Sequence, residues 1–231
     1  NTKYEIRNVE RRTLTPDPMY ISQETVIRLE QLFGKPELIN AEFVISDYEA
    51  RLIEKEYLKA RKHDVTFLIH YNEGFVGIQK HGYPLNLYRA PSGGIEPTED
   101  FIEGAKREAK EETGLEIEFK KYILRATARF RGQSSGLRFQ MMMEREEPGL
   151  YTWTTHVFYC APIGEFTLKV IDEKEIKDVK LLSTYEFILC TRMMNRLPIG
   201  GFRYRAILQS EALRIIGFGE PGTGLSGRRL P

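Results

Sequence analysis

The chain is poor in cysteine, has no long apolar run and carries no excess charge of either sign. Its two cysteines, Cys160 and Cys190, lie far apart in the sequence and make no metal-binding spacing, so two reduced thiols are expected. No apolar run approaches the roughly 18 residues of a membrane span. The first residues contain no apolar segment of the signal-peptide kind. We therefore expect a cytoplasmic protein with no membrane partner.

Charge is almost balanced, with 34 Lys and Arg against 33 Asp and Glu and a net charge of +1. Such a chain has no global positive field to attract a long nucleic acid, so none is expected as a partner. A local positive pocket would still be enough to bind a nucleotide. Hydrophobic residues make up 41% of the chain and charged residues 29%, which is typical of a globular protein.

Residues 1–62 are predicted to form an N-terminal α+β extension. Helices are expected over Gln23–Phe33 and after Ser46, where Ser46 and Glu49 make a capping box. The extension carries more apolar residues than a compact domain has an evident need for, and exposed apolar patches usually mark contact surfaces. This excess predicts a homodimer formed through the extension, and the residues concerned are Ile21, Val26, Leu29, Phe33, Leu52 and Tyr57.

Residues 63–200 alternate strands and helices and are predicted to form the main domain. Strands are expected at 65–71 and 75–79, joined by a hairpin, and at 85–90, 119–130, 153–161 and 176–182. A long loop is expected over residues 131–152, and a helix over 184–197. This order predicts a mixed α/β sandwich rather than a doubly wound sheet. A further helix and a Gly-rich tail are expected in residues 201–231.

The segment from Gly93 to Leu115 contains one strongly predicted helix. Thr98 is the expected N-cap, and Gly114 is suited to end the helix in the left-handed conformation. An apolar stripe at helical spacing is expected to pack on the sheet, and its members are Phe101, Ile102, Ala105 and Ala109.

Three glutamates, Glu108, Glu111 and Glu112, lie beside that stripe at positions i, i+3 and i+4. Their carboxylates are therefore expected to converge on one edge of the helix, where like charges repel each other. Hard carboxylate oxygens at this density suit Mg²⁺, which would relieve the repulsion. A solvated acidic face is the alternative, and the glutamates alone do not decide between the two.

The surrounding residues favour the metal site, because the whole segment resembles the Nudix box, G-x5-E-x7-R-E-U-x-E-E-x-G-U, in which U is aliphatic. The matching residues meet every spacing, with a small alanine at the first U position, and they are Gly93, Glu99, Arg107, Glu108, Ala109, Glu111, Glu112, Gly114 and Leu115. The resemblance implies the Nudix-type α/β/α sandwich with a mixed sheet. It also implies an enzyme that hydrolyses pyrophosphate bonds with Mg²⁺, for which Mn²⁺ is expected to substitute.

The resemblance also implies roles for the residues of the helix. Glu108, Glu111 and Glu112 match the metal ligands of the box, and in some members one of them acts as the base, for which Glu111 is our candidate. Glu99 matches an acid at the helix start that adds a metal contact. Arg107 matches the arginine that orients the glutamates through ion pairs.

Two further sets of residues are implied outside the helix. The carbonyl of Ser92 and Gly93 match the loop that turns beside the metal. In many members the general base lies on a loop before the last strand, a place that Glu173 and Glu175 occupy here. A charged, solvated turn is the alternative interpretation of these two glutamates.

The sequence says less about the substrate. The N-terminal extension and the long loop favour a nucleoside diphosphate linked to another group, such as ADP-ribose or a nucleotide sugar, over a nucleoside triphosphate. Arg129 and Arg131, part of a basic stretch, are candidates for binding the phosphates. Alternating arginines on the exposed face of a strand are the equally weighted alternative. Aromatic residues that could stack on a base, or belong to the core, are Tyr71, Tyr83, Tyr88 and Trp153. A nucleotide-sensing module without catalysis remains as an alternative, disfavoured by the intact box. An isoprenyl diphosphate isomerase is another, disfavoured because it would need an active-site cysteine and a different helix pattern.

Overall fold

A mixed sheet of seven strands lies at the centre of the molecule, between two layers of helices. The computed structural model describes residues 21–57, 61–96, 99–132 and 150–218. Its strands are β1 (Glu37–Ile45), β2 (His63–Tyr71), β3 (Gly74–Lys80), β4 (Ser92–Gly93), β5 (Ile117–Gly132), β6 (Leu150–Pro162) and β7 (Ile176–Ser183). Its helices are α1 (Gln23–Phe33), α2 (Asp47–Tyr57), α3 (Phe101–Thr113), α4 (Thr184–Arg196) and α5 (Gly200–Ile215).

The strands lie in the order β1-β5-β6-β2-β3-β7, and the short β4 pairs with β2. Two pairs are parallel, β1 with β5 and β2 with β6, and the other pairs are antiparallel. A mixed sheet with strands and helices in this order confirms the predicted α/β sandwich.

Each face of the sheet has its own apolar core. On one face α1 and α3 bury residues such as Leu29, Ala105 and Ala109 against Phe67 and Phe158. On the other face the core includes residues of α2, α4 and α5, such as Tyr57, Phe187 and Tyr204. The alternation of side chains along a strand explains this division, since neighbouring residues of β2 point to opposite faces. The sheet therefore separates the glutamate helix α3 from the layer that contains α5.

The predicted N-terminal extension contributes a strand to the central sheet. Strand β1, which the sequence analysis missed, pairs with β5 in parallel along its whole length. Most of the apolar residues that motivated a dimer are buried within the chain itself, and they are Ile21, Val26, Leu29 and Tyr57. That argument for a dimer is therefore wrong, although the dimer itself stays a prediction. Leu52 is half exposed, at 50%.

Several expected elements are confirmed and others need correction. Helix α1 has the predicted bounds, and the capping box of Ser46 and Glu49 is present at the start of α2. Residues 85–90 do not form a strand, because only Arg89 makes an isolated bridge, to Ile78. Both ends of the expected loop 131–152 lie in strands instead, since β5 continues to Gly132 and β6 begins at Leu150. The rest of that expected loop lies outside the described residues.

The cap of α3 also differs from the expectation. Asp100 is the N-cap, and its side chain accepts hydrogen bonds from the backbone N–H groups of Ile102 and Glu103. Thr98, the predicted cap, lies outside the described residues. A carboxylate is a good alternative cap, because it also interacts favourably with the positive end of the helix dipole.

Both cysteines are buried and free, as expected. Among the described residues, no helix is both long enough and apolar enough to cross a membrane.

Gly114 supplies the first testable prediction. It ends α3 with φ of 77°, and a Cβ there would lie 2.8 Å from the carbonyl oxygen of Lys169. Gly114→Ala should therefore lower the free energy of unfolding by about 2 kcal/mol or more, as measured by urea denaturation. The control is Gly164→Ala, because Gly164 has a similar φ of 74° but no atom within 4 Å of an added Cβ. We expect a smaller loss of about 1 kcal/mol there. Equal losses would show that contact with Lys169 is unimportant.

Candidate active site

Helix α3 is fixed on the sheet by its apolar side, which orients its glutamates toward the loop around β4. Phe101, Ala105 and Ala109 are buried. A Cβ on Gly93 would overlap the carboxylate of Glu108, so the loop passes this side chain at a distance that only glycine permits. The structure therefore brings Glu108 to the loop that the sequence predicted as its neighbour.

Glu112 is the most buried of the three glutamates, with 6% of its side chain exposed. One carboxylate oxygen accepts a hydrogen bond of 2.6 Å from the backbone N–H of Ser92. The other lies 3.8 Å from both Lys80 Nζ and Arg89 Nη2. Burial raises the pKa of Glu112 to about 7, because the loss of hydration outweighs the attraction of the two cations. Ionising this carboxylate therefore lowers the stability of the folded protein.

Arg107 connects the other glutamates of the box. Its guanidinium donates to both oxygens of Glu99, at 2.8 and 3.0 Å, to Glu108 at 3.0 Å and to Glu111 at 2.9 Å. It also donates to the carbonyl of Gly94 at 3.3 Å. These bonds lower the pKa of Glu99 and raise the pKa of Arg107 itself. This geometry matches the orienting role that the resemblance implied for Arg107.

The glutamates are thus paired with cations rather than gathered around one point. Among the described residues, no group of three or more His, Cys, Asp or Glu side chains is placed to bind one metal ion. The donor set nevertheless fits Mg²⁺, because Glu108, Glu111 and Glu112 offer hard oxygens beside a loop that only glycine can form. The pKa of Glu108 is raised by burial and, to a smaller extent, by Glu111, so the carboxylates are close enough to repel each other.

Glu175 also lies at this site, although its element is distant in sequence. The backbone N–H groups of Ile171 and Asp172 donate to the carbonyl of Glu111, which attaches the segment before β7 to the end of α3. Glu175 then pairs with Lys80 at 2.5 Å, and Lys80 in turn lies beside Glu112. The hydrogen bond from Lys80 lowers the pKa of Glu175, so its carboxylate is ionised at neutral pH.

Glu173 lies in the same segment but is differently placed. Both glutamates are exposed, but the hydrogen bond of Glu173 to His81 is made by its backbone carbonyl and not by its side chain. Of the two predicted base candidates, the structure therefore brings Glu175, and not the side chain of Glu173, into the network of Lys80 and Glu112.

Arg129 and Arg131, the predicted phosphate ligands, lie on β5 beside the edge strand β1. Both are exposed, and Arg131 pairs with Glu42 of β1 at 3.6 Å. The ion pairs of the α3 glutamates are made instead with Arg107, Lys80 and Arg89. The alternating arginines of β5 thus follow the exposed side of a strand, as the alternation of side chains along a strand requires.

Three cations at the site escaped the sequence analysis: Arg61, Lys80 and Arg89. Arg89 is 3% exposed and lies within residues 85–90, for which the sequence predicted a strand. A buried arginine needs charged or polar partners. An arginine between apolar residues of an expected strand could therefore have indicated a buried ion pair. Arg61 precedes β2 and lies against Gly94, where an added Cβ would overlap its guanidinium.

Comparison with known proteins gives the same picture of the domain. Residues 61–197, more than half of the chain, match the family model described as the NUDIX domain. No match is found among curated proteins. Solved structures similar to this chain include a NUDIX hydrolase from Nitrosomonas europaea, with 19% identity over 73% of this chain and 97% of that one and a TM-score of 0.44.

Two other similar structures carry more specific descriptions. One is a C. elegans Ap4A hydrolase in a binary complex, with 15% identity, coverage of 64% and 93%, and a TM-score of 0.41. The other is the NUDIX domain of Shewanella oneidensis NrtR complexed with ADP ribose, with 18% identity, coverage of 70% and 97%, and a TM-score of 0.41. Likenesses at this level leave the substrate of this chain open.

The raised pKa of Glu112 predicts how stability depends on pH. Between the ordinary value of 4.5 and about 7, the folded protein holds a proton that the unfolded chain has lost. The free energy of unfolding therefore falls as pH rises through this window. Glu112→Gln cannot ionise, so the metal-free variant should gain roughly 1–3 kcal/mol relative to wild type between about pH 4 and pH 8.

Urea denaturation in EDTA at several pH values measures this difference. Glu103→Gln is the control, because Glu103 is on the same helix but exposed and paired with Lys106. The control should follow the wild type at each pH. A difference between Glu112→Gln and wild type that does not change with pH would contradict the assignment.

Proposed function

The chain belongs to the Nudix family of pyrophosphohydrolases, and on this basis we propose that it hydrolyses the diphosphate bond of a nucleoside diphosphate linked to another group. The observation that carries the proposal is the network of Arg107 and the box glutamates beside the glycine loop. Carboxylates of this number serve a diphosphate only through divalent cations, since they repel phosphate directly. The proposal therefore includes Mg²⁺ as the cofactor.

Glu108, Glu111 and Glu112 are the residues that would hold the metal, with the carbonyl of Ser92 and the loop at Gly93 beside them and Glu99 at the start of the helix. When bound, Mg²⁺ supplies positive charge that offsets the charge developing on the phosphate oxygens. The protein itself fixes the positions of the carboxylates, because Arg107 holds Glu108 and Glu111 within 3.0 Å of its guanidinium. Fixed donors of this kind need no rearrangement during the reaction.

Hydrolysis requires that water attack one phosphorus while the bond to the bridging oxygen breaks. The proton of the water passes to a carboxylate within hydrogen-bonding reach. Glu111 and Glu175 are the candidates, since both lie at the junction of α3 with the segment before β7. Lys80, paired with Glu175 and beside Glu112, is suited to neutralise charge next to the reacting group. The products are a nucleoside monophosphate and a phosphorylated partner.

ADP-ribose or a nucleotide sugar is the substrate class that we favour over a nucleoside triphosphate. The support is the additional structure in front of the family domain, α1, β1 and α2, together with the long connection between β5 and β6. Long connections in compact domains are commonly functional. A nucleotide-sensing role without hydrolysis is the second candidate, and the complete set of box glutamates disfavours it.

A nucleotide panel with Mg²⁺ tests the proposal. We expect ADP-ribose or a nucleotide sugar to be converted to nucleoside monophosphate faster than nucleoside triphosphates, with activity abolished by EDTA. In ¹⁸O-labelled water, mass spectrometry should find one labelled oxygen on one of the two products. Rapid conversion of a triphosphate to monophosphate and pyrophosphate, with ADP-ribose untouched, would refute the substrate class. Turnover that persists in EDTA would refute the metal.

Variants of α3 provide the matched controls for this assay. Glu111→Gln removes a charge from the proposed metal site and should lower turnover by orders of magnitude. Glu103→Gln removes the same charge from the exposed side of the same helix, where Glu103 pairs with Lys106, and should leave turnover within about twofold of wild type. Similar activity of the two variants would contradict the site.

We also propose a homodimer formed through residues 1–62. Strand β1 is an edge strand among the described strands, and its Leu38 and Val44 are each 62% exposed. Exposed apolar edge strands are natural sites of association. Light scattering should therefore give twice the monomer mass of 26.9 kDa. Val44→Glu should yield monomer, whereas Leu85→Glu, at a residue 75% exposed outside the extension, should not. A monomeric wild type would refute the dimer.

A further inference from the structure

A cavity of about 260 Å³ lies between α2, α5 and the face of the sheet opposite to α3. Its walls are mainly apolar and aromatic, with Phe130 and Trp153 from the sheet, Leu52 and Ile53 from α2, and Tyr204 from α5. Ligand pockets in proteins range upward from roughly 300 Å³. The cavity is therefore suited to a single small ring system rather than to a whole dinucleotide.

The aromatic walls are held in place by packing and by internal hydrogen bonds. Phe130 and Tyr204 meet edge to face, with ring centroids 5.2 Å apart. The hydroxyl of Tyr204 donates to Thr155 at 2.5 Å, and Thr155 donates to Asp64. Asp64 also accepts a bond of 2.8 Å from Arg205, which lines the cavity. The polar groups behind the walls thus bond to each other, and the cavity presents preformed aromatic surface.

A chain of contacts leads from this cavity to the glutamates. Glu56 lines the cavity and pairs with Arg61 at 3.2 Å. The Arg61 guanidinium lies on Gly94, whose carbonyl accepts a hydrogen bond from Arg107. Arg61 is also near enough to lower the pKa of both Glu108 and Glu175. It therefore stands between the cavity and the carboxylates.

Arg61 has hydrogen-bonding capacity that the protein does not use. Its Nε is buried, and among the described residues no acceptor lies within hydrogen-bonding distance of it. Buried donors without acceptors are rare because they are costly. A guanidinium in this position suits a phosphate oxygen, which arginine binds through charge-assisted hydrogen bonds.

We propose that this cavity binds the nucleobase of the substrate and that Arg61 binds the diphosphate between the base and the glutamates. This assignment rests on the proposed function for the identity of the ligand. The base stacks on Trp153 and Phe130, which is the interaction that any nucleobase offers to an aromatic wall. The diphosphate then passes Arg61 at Gly94 and reaches the carboxylates of α3.

The chain contains a single tryptophan, Trp153, so its fluorescence reports directly on the cavity. Adenosine monophosphate, titrated in EDTA so that no hydrolysis takes place, should change the fluorescence of Trp153 with a saturable curve. Ribose 5-phosphate carries the phosphate but no base and should change it little at the same concentrations. Equal responses to both ligands, or calorimetric binding of adenosine monophosphate without any response of Trp153, would overturn the assignment of the cavity.

Three variants make the test specific. Leu52→Glu places a charge at the mouth of the cavity on a half-exposed helix position, so the protein should still fold, and it should weaken binding of adenosine monophosphate roughly tenfold or more. Arg61→Gln should weaken binding by a similar factor through loss of the phosphate contact. Tyr185→Ala, at a residue 67% exposed on α4, is the control and should bind as wild type does. Unchanged binding of adenosine monophosphate by Leu52→Glu would refute the base site. Unchanged binding by Arg61→Gln would refute the phosphate contact.

These outcomes separate this inference from the proposed function. Binding that requires the base, Leu52 and Arg61 supports the inference even if the nucleotide panel shows no hydrolysis, in which case the proposed function fails alone. Hydrolysis of ADP-ribose with a KM unchanged in Leu52→Glu supports the proposed function and refutes the cavity as its base site.

Discussion

The concentration of negative charge on the second half of α3 is the constraint on which the site depends. Carboxylates near the C-terminal end of a helix repel each other and also face the negative end of the helix dipole. Cations from three different elements form ion pairs with these carboxylates. They are Arg107 on α3 itself, Lys80 at the end of β3, and Arg89 in the loop that follows. Arg107 pairs with three carboxylates, Lys80 with two and Arg89 with one, and these ion pairs keep the glutamates apart. Divalent ions would take over the same oxygens with a higher charge density, so the ion pairs preserve the site in a form that a metal can enter.

The sheet explains why these charges meet although they are distant in sequence. The loop of β4 lies along β2, with Val65 opposite Gly93, and the same loop meets α3 where Glu108 and Glu112 face it. The segment before β7 is held to the carbonyl of Glu111, which brings Glu175 to Lys80. Glycine at position 93 is required by this packing, since the Glu108 carboxylate occupies the space of a side chain. The spacing of the box residues in the sequence thus follows from the way the β4 loop packs on α3.

The parts of this arrangement that depend on local sequence could be predicted, and those that depend on tertiary contact could not. Helix α1, the glycine stop of α3 and the neighbourhood of Gly93 and Glu108 follow from periodicity, caps and spacing. Strand β1 was missed although Ile39, Ala41, Phe43 and Ile45 alternate with the exposed Asn40 and Glu42, as in a half-buried strand. Only its pairing with β5 shows that it belongs to the central sheet. Arg129 and Arg131 were candidates because they belong to a basic stretch, and such a stretch gives no information about which part of the fold the arginines face. Arg61 and Lys80 were missed because an isolated basic residue has no local signature, and only the fold shows which carboxylates it meets.

The two faces of the sheet therefore contribute different properties to one site. The face of α3 carries charge, and it accepts a cost in stability because Glu112 must ionise while buried. The opposite face, under α2 and α5, carries aromatic surface, and the charged Arg205 beside it is paired with Asp64. A ligand with an anionic centre and an apolar ring needs both properties within a short distance. Arg61 lies where the two meet, at the start of the chain that becomes β2, and this position lets one guanidinium touch the loop of the glutamates and the wall of the cavity at once. On the proposed assignment, charge on one face and aromatic surface on the other are separate features, so a change in the cavity would alter the preferred base without altering the glutamates.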